Sequence, residues 1–449
     1  MLKTELRPHQ PLAIEAALSR DGTLIDGKMG SGKSLIGLGI IVESKAIATL
    51  VLCPVSVRGV WRREVWKHTE GIDVVLPDKG DVRRRAREIK EHVERARITR
   101  QPFVVVVNYE SAWRNEMEKV LLGVNWHLVL LDECHRIKSN SGKASRFARK
   151  LKARRRVGLT GTPTPHSPLD IWAQAQAIAP GVYQRTYTAF RSAYAVITTA
   201  PGFPKIIGWQ NTDDLQGRLK LFVHDCGDVD LHLPPMTEQV VDVELEPGAA
   251  KAYKALERDF YAEIERGEVT VGNALTKILR LQQVTGGTIK LDDGTEARVS
   301  EAKQKALADI LDDLAGQRVA VFCRFKSDLL AVRQAAETAG LSYGEISGAT
   351  KDGLDDHAMM RDGLDIVGVQ IQSGGVGIDL TRASIGIYYS LTYSLGDHEQ
   401  SRARLHRPGQ QRHTHFLYLV APGTIDAKIM RALEEKKDVI EAVVYGRSR

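Results

Sequence analysis

Short runs of almost unbroken apolar residues recur along the first third of the chain: Thr49–Cys53, Phe103–Val107, His127–Leu131 and Val157–Leu159. Polar segments of helix-compatible composition separate them. A strand that is apolar on both faces belongs inside a parallel sheet covered by helices, so this rhythm predicts a parallel-sheet lobe. The same rhythm returns at Val319–Cys323, Ile366–Ile371, Ile385–Tyr389 and Phe416–Val420. Between the two stretches the spacing becomes helical, over Ala249–Arg266 and Asn273–Val284, with irregular connections such as Leu233-Pro234-Pro235. The expected architecture is α/β: a first lobe over 1–180, a helical insert and linker over 181–300, and a second lobe over 301–449.

The 449 residues suffice for more than one core, and 43% apolar with 27% charged residues is ordinary for a globular protein. No run approaches 18 apolar residues, which argues against a membrane span, and no apolar stretch follows Met1-Leu2-Lys3-Thr4-Glu5 as a secretory signal would require. Cys53, Cys134, Cys226 and Cys323 form no Cys-x-x-Cys pair, so neither a zinc site nor a disulfide framework is indicated. These features fit a cytoplasmic protein, and a net charge of +7 favours a polyanionic partner.

The chemistry concentrates at two places. Gly27-Lys28-Met29-Gly30-Ser31-Gly32-Lys33-Ser34 fits Gly-x4-Gly-Lys-[Ser/Thr], after the apolar Thr23-Leu24-Ile25 and before the helix-like Leu35–Val42. Glycines at Gly27, Gly30 and Gly32 let backbone N–H groups, with that of Ser31, turn onto phosphates, and the helix N-terminus adds partial positive charge. Lys33 is placed to reach the β- and γ-phosphates of ATP, and the Ser34 hydroxyl to ligate Mg²⁺. The apolar run His127–Leu131 then leads straight into Asp132-Glu133-Cys134-His135. Carboxylates at the end of a strand lie where open α/β sheets bind ligands. Asp132 is the candidate Mg²⁺ ligand and Glu133 the base that orients and deprotonates the attacking water.

Asp132-Glu133-Cys134-His135 resembles the Asp-Glu-x-His box of superfamily-two helicases, and Leu159-Thr160-Gly161-Thr162-Pro163 resembles their third motif. Gln400-Ser401-Arg402-Ala403-Arg404-Leu405-His406-Arg407-Pro408-Gly409-Gln410 resembles the sixth motif of one branch, the Swi/Snf-type ATPases. Leu6-Arg7-Pro8-His9-Gln10, Leu50–Pro54 followed by Trp61, Gly374–Leu380 and Gly423-Thr424-Ile425-Asp426 resemble further segments of that branch, in order along nearly the whole chain. The resemblance implies two RecA-like lobes, adenine recognition by Gln10 beside Arg7, and nucleotide contacts from Gly377 and Asp379. It also implies arginine cations, Arg404 and Arg407, that complete the ATP site. Asp379 stands where asparagine is more usual, and His224–Val229 lacks the basic residues usual before the second lobe. With no chromatin-reading module in view, a minimal motor of a bacterial or viral host cytoplasm is expected.

Arg404 and Arg407 are three positions apart and would share a face if both lay on one helix. The resemblance implies double-stranded DNA as partner, with single-stranded DNA or RNA as alternatives. Ser56, Arg58, Lys326, Ser373, Gly374 and Gly375 follow strand ends and are the candidate backbone-phosphate contacts. Two basic clusters, Arg83–Arg87 and the seven basic residues among the eleven of Arg146–Arg156, read more simply as solvated helix faces. A strand-separating helicase, or a nucleic-acid scaffold with an inactive ATP site, are the competing functions.

Overall fold

The computed structural model of the chain describes all residues except 79, 199–204, 228–232, 266–270, 291–294, 356–357, 373–377 and 445–449. The chain forms two compact units that part near residue 231.

The main sheet of the first unit is built from β1 (Gly22–Asp26), β2 (Ala48–Cys53), β3 (Asp73–Val75), β4 (Phe103–Asn108), β5 (Trp126–Asp132), β6 (Ala153–Thr160) and, after a separate small hairpin of β7 (Ala195–Thr198) and β8 (Lys205–Trp209), β9 (Val223–Asp225). They build one sheet in the order β3-β4-β2-β5-β6-β1-β9, and every pair in it is parallel. Central strands β2 and β4 are buried at every position, as their unbroken apolar runs require. Helices Lys33–Glu43, Arg58–His68 and Val82–Thr99 cover the sheet and place Ile36, Trp61, Val65, Ile89 and Val93 in the core.

The second unit has its own sheet, in the order β10-β17-β16-β13-β15-β14, again parallel throughout. Its strands are β10 (Met236–Asp242), β13 (Val319–Cys323), β14 (Tyr343–Ile346), β15 (Ile366–Gln370), β16 (Ile385–Tyr388) and β17 (Thr414–Val420). A short antiparallel pair, β11 (Thr288–Lys290) and β12 (Glu296–Arg298), follows the helices Pro247–Glu265 and Val271–Gly286.

The structure divides the expected 181–300 insert differently. β9 pairs with β1 in the first sheet, β10 pairs with β17 in the second, and the division falls between them. Both are edge strands with one paired side, so neither carries the doubly apolar run that marks a central strand. The two helices read from periodicity are present, in the second unit.

Candidate nucleotide site

Three neighbouring strands, β1, β6 and β5, end level with one another: Asp26 stands opposite Thr160, and Leu159 opposite Asp132. Strands lie about 4.8 Å apart, so the loops leaving all three share one small region at the carboxyl edge of the sheet. The loop after β1 carries the glycines and Lys33. Gly161 follows β6, and Glu133 follows Asp132 at the end of β5.

The loop turns through Gly30 and Gly32, both at positive φ (84° and 79°), into the helix Lys33–Glu43. A Cβ at Gly32 would stand 2.3 Å from Gln10 Nε2, so glycine is needed there for space as well as for conformation. The first helix, His9–Leu18, and Arg7 just before it brace the loop from outside: Arg7 Nη1 donates to Gly30 O at 3.2 Å and Gln10 Nε2 to Ser31 O at 3.1 Å. His9 Nε2 lies 2.8 Å from the same carbonyl. Gln10 is buried, and its Oε1 accepts from Arg7 N at 2.9 Å. Its amide therefore shapes the loop in this structure.

Lys33 is buried, with its ammonium donating to the carbonyls of Gly27 and Lys28 at 2.8 and 3.2 Å. Among the described residues no carboxylate pairs with it, yet its charge lowers the pKa of both Asp132 and Glu133. Asp132 and Glu133 are buried side by side. Burial, reinforced by the Glu133 charge, pushes the Asp132 carboxyl up to about 7. Burial also disfavours the Glu133 carboxylate, but His135 beside it, with Lys33 and Arg136, outweighs this and holds it below the usual range. The two carboxyls thus titrate as a coupled pair, Asp132 shifted up and Glu133 down. His135 Nδ1 lies 3.3 Å from Glu133 Oε2, and it shares a 3.1 Å hydrogen bond with Thr160 Oγ1, joining the acid pair to the β6 end. Trp61 Nε1 donates to Asp132 Oδ2 at 2.7 Å, and Tyr109 OH to Asp132 O at 2.8 Å.

These residues fit ATP and Mg²⁺. Ser31 Oγ is buried with no hydrogen-bond partner among the described residues, an expensive condition that a polyphosphate would relieve. A Cβ at Gly161 would stand 2.9 Å from Gly27 O and 3.3 Å from Lys33 Nζ, so that glycine keeps the region beside the ammonium open. Lys33 and the loop N–H groups can hold phosphates, while Ser34, half-buried in the first turn of its helix, and Asp132 can hold the metal.

In the second unit the structure corrects one expectation. The helix Leu395–Leu405 ends before Arg407, and His406 at its C-cap has φ −92° and ψ 81°. Arg404 and Arg407 therefore do not share a helical face. The Arg-Pro-Gly sequence explains the break, because a helix usually ends at or before the residue preceding proline and Gly409 takes φ 107°. Arg404 is buried, its Nη1 has no hydrogen-bond partner among the described residues, and burial lowers its pKa to about 10. Arg407 is half-exposed, with Nη1 donating to Ile378 O at 3.2 Å and Nε 4.0 Å from Asp379 Oδ2. Asp379 itself accepts from Thr381 N and Oγ1.

Of the candidate DNA contacts, Ser56 lies in the turn Val55–Val57 just past β2, and Lys326 is exposed at the start of its helix just past β13. Arg58 begins the helix after β2 and turns back to donate to Pro77 O at 2.8 Å. Ser373, Gly374, Gly375 and Gly377 lie outside the described residues. No helix among the described residues is long and apolar enough to cross a membrane.

A family model for the SNF2-related domain matches residues 12–286, more than half of the chain, and one for the helicase conserved C-terminal domain matches 302–409. The chain belongs to the SNF2-related family of helicase-like ATPases. It is 26% identical to protein p41 of Acyrthosiphon pisum secondary endosymbiont phage 1, covering 99% of this chain and 98% of that one. It is 24% identical to YwqA of Bacillus subtilis (strain 168), named provisionally an ATP-dependent helicase/translocase, over 99% of this chain but 49% of that protein's length. It thus spans about half of that relative. Among solved structures, the Sulfolobus solfataricus SWI2/SNF2 ATPase core in complex with dsDNA matches at 22% identity and a TM-score of 0.45, over 99% of this chain and 94% of that one.

Within this SNF2-related site, sequence motifs locate Lys33, Ser34, Asp132 and Glu133 but not their supports. Tyr109 carries no motif signal. Trp61 and His135 fall inside recognisable segments, yet nothing local says that one will hold Asp132 and the other will bridge to Thr160. Those partners become neighbours only through the strand order β5-β6-β1 and the helix after β2.

Proposed function

We propose that the chain is an ATP-driven motor that moves along double-stranded DNA without strong sequence preference, in the cytoplasm of a bacterium or of a virus's host. The observation that carries this reading is the buried ammonium of Lys33. Among the described residues it has no carboxylate partner, and it lies in the field of the Asp132–Glu133 pair, at the mouth of a glycine loop. A buried cation held only by carbonyls is costly unless an anion joins it, and a phosphate chain supplies that anion.

In this reading the loop N–H groups and Lys33 bind the phosphates. Ser34 and Asp132 would hold Mg²⁺, which would supply positive charge to the phosphate chain. Glu133, ionised at neutral pH, takes the proton of the water that attacks the γ-phosphorus, and the bond to the bridging oxygen breaks to release ADP and phosphate. Arg404 and Arg407 add cationic charge as the phosphoryl group transfers. The His135–Thr160 contact offers a route by which the acid pair reports its state to the rest of the sheet. Membership of the SNF2-related family supports movement on DNA, and the provisional name of YwqA, a helicase/translocase, agrees.

ATP turnover measured in parallel with duplex DNA, single-stranded DNA and RNA tests the reading. The expected result is strongest stimulation by long duplexes, falling steeply with salt because phosphate contacts release counterions. Equal or greater stimulation by RNA would overturn the duplex assignment and leave a strand-separating helicase as the better description.

A further inference from the structure

Trp61 is fully buried in the helix Arg58–His68, 71 positions from the carboxylate it serves. Its ring packs against the phosphate-loop helix, where a Cβ at Gly37 would stand 3.0 Å from Trp61 Cη2. Its indole N–H ends on Asp132 Oδ2 at 2.7 Å. Indole nitrogen is a donor only, so it cannot compete with a carboxylate for a cation, and it occupies one lone pair of Oδ2 while leaving Oδ1 to other partners. The Asp132 backbone is fixed separately, by Tyr109 OH on its carbonyl, which leaves side-chain rotation as the freedom to be removed.

We propose that Trp61 is a positioning residue for the metal-binding carboxylate: its N–H claims Oδ2 of Asp132 and thereby presents Oδ1 to Mg²⁺. This rests on the reading of Asp132 as the metal ligand. Groups that orient a ligating carboxylate typically change metal affinity by about 10- to 100-fold. Because the same ring lies on the helix that begins at Lys33, the metal ligand and the phosphate loop are held in register by one side chain.

The test uses the full chain, ADP and Mn²⁺ as a spectroscopic stand-in, with free Mn²⁺ read by electron paramagnetic resonance. Trp61→Phe keeps the buried ring and removes the donor, so Mn²⁺ should bind roughly tenfold more weakly while ADP without metal binds as in wild type. Trp126→Phe is the control: Trp126 is buried in the same unit and donates to Leu121 O at 3.0 Å, away from the site. Its loss should leave Mn²⁺ affinity unchanged. Equal Mn²⁺ affinity in Trp61→Phe and wild type, or equal weakening in both tryptophan variants, overturns the proposal. Unaltered Mn²⁺ binding in Asp132→Ala overturns it together with the metal-ligand reading, which separates the two failures. A second measurement needs no tryptophan variant. In the wild-type chain labelled at its six tryptophans, one indole N–H resonance should shift when Mg²⁺ is added to the ADP-bound protein, and Asp132→Asn should displace the same resonance. If no single resonance responds to both, the proposal is wrong.

Discussion

Each unit buries one lysine beside acidic residues, and the two are arranged in opposite ways. In the second unit Lys303 donates to Asp426 Oδ2 at 2.6 Å and to Tyr389 O at 3.0 Å, with both side chains almost fully enclosed. Asp426 is completed by Thr285 Oγ1 on its other oxygen at 2.9 Å. That charge is neutralised within the fold, and it ties the helix Ala302–Asp313 to Ile425–Val443. In the first unit Lys33 rests on two carbonyls of its own loop, while its charge acts on two buried acids, Asp132 and Glu133. A saturated pair marks a structural charge. An unsaturated one, with Ser31 Oγ beside it unpartnered among the described residues, marks a place prepared for a ligand.

The largest expected effect extends that contrast to the arginines. Among the described residues Arg404 is buried with an unpartnered Nη1, and Arg407 meets one carbonyl and a distant carboxylate, so neither is neutralised there as Lys303 is. Arg407→Ala should lower ATP turnover by about 10³–10⁵-fold, the range for a cation that stabilises the transferring phosphoryl group. Nucleotide affinity should fall far less, since in the proposed reading the loop around Lys33 supplies most ground-state contacts. Turnover near wild type at saturating duplex DNA would remove Arg407 from the reaction and make its half-exposed position that of an ordinary surface residue.

Next in size is the exchange of roles between the lysines. Lys33→Ala should reduce turnover by roughly 10²–10³-fold, as loss of one electrostatic stabiliser does, with the melting temperature close to wild type. Lys303→Ala should do the reverse. It leaves Asp426 buried and unpaired, which costs about 3–5 kcal/mol, and the second unit should melt early. Replacing both partners, Lys303→Met with Asp426→Leu, should recover most of that stability because no charge is stranded. Calorimetry of the three variants beside ATPase assays decides it. A stable Lys303→Ala protein would mean that the two lysines differ less than their contacts imply.

That contrast also shows what the sequence could reveal. Lys33 was legible because its signal is local: a glycine loop between a strand and a helix. Lys303 was not, since its partner lies 123 positions away and its own surroundings read as a solvated helix. Central strands announced themselves by unbroken burial, whereas β9 and β10 offered short or largely exposed faces and were absorbed into a supposed insert. The basic run Arg146–Arg156 is instructive in another way. Arg155 donates to Leu18 O and Arg20 O, Arg156 to Leu151 O, and Arg149 to Asn140 O while lying over Trp172. Several of its charges finish unpaired carbonyls, a use that composition alone cannot distinguish from a DNA-facing surface.

The smallest effect separates the units by pH. Asp132 in the first unit has its carboxyl raised from 3.8 to about 7 by burial, so between about pH 4 and 7 the folded chain holds a proton that the unfolded chain has lost. Stability from this group is full below about pH 4 and is lost as pH rises through 7. His398 in the second unit is the opposite case. Burial lowers its ring from 6.5 to about 3, so the folded form stays neutral where the unfolded form would charge, and stability rises with pH up to about 6.5. Glu133 acts only at lower pH, because its folded value lies below 4.5. With metal and nucleotide removed, each pH unit in these windows is worth at most about 1.4 kcal/mol. The cleanest measurement is a difference, which cancels His398: denaturation of Asp132→Asn minus wild type from pH 4.5 to 7.5. Asp132→Asn should gain on wild type by roughly 2–4 kcal/mol across that interval, with no gain below pH 4. Adding Mg²⁺ with ADP should shrink the gain, because the metal then stabilises the ionised Asp132 that burial alone disfavours. A flat difference would mean that Asp132 is ionised throughout, and the first unit's acid pair would then carry its charge as openly as Lys33 does.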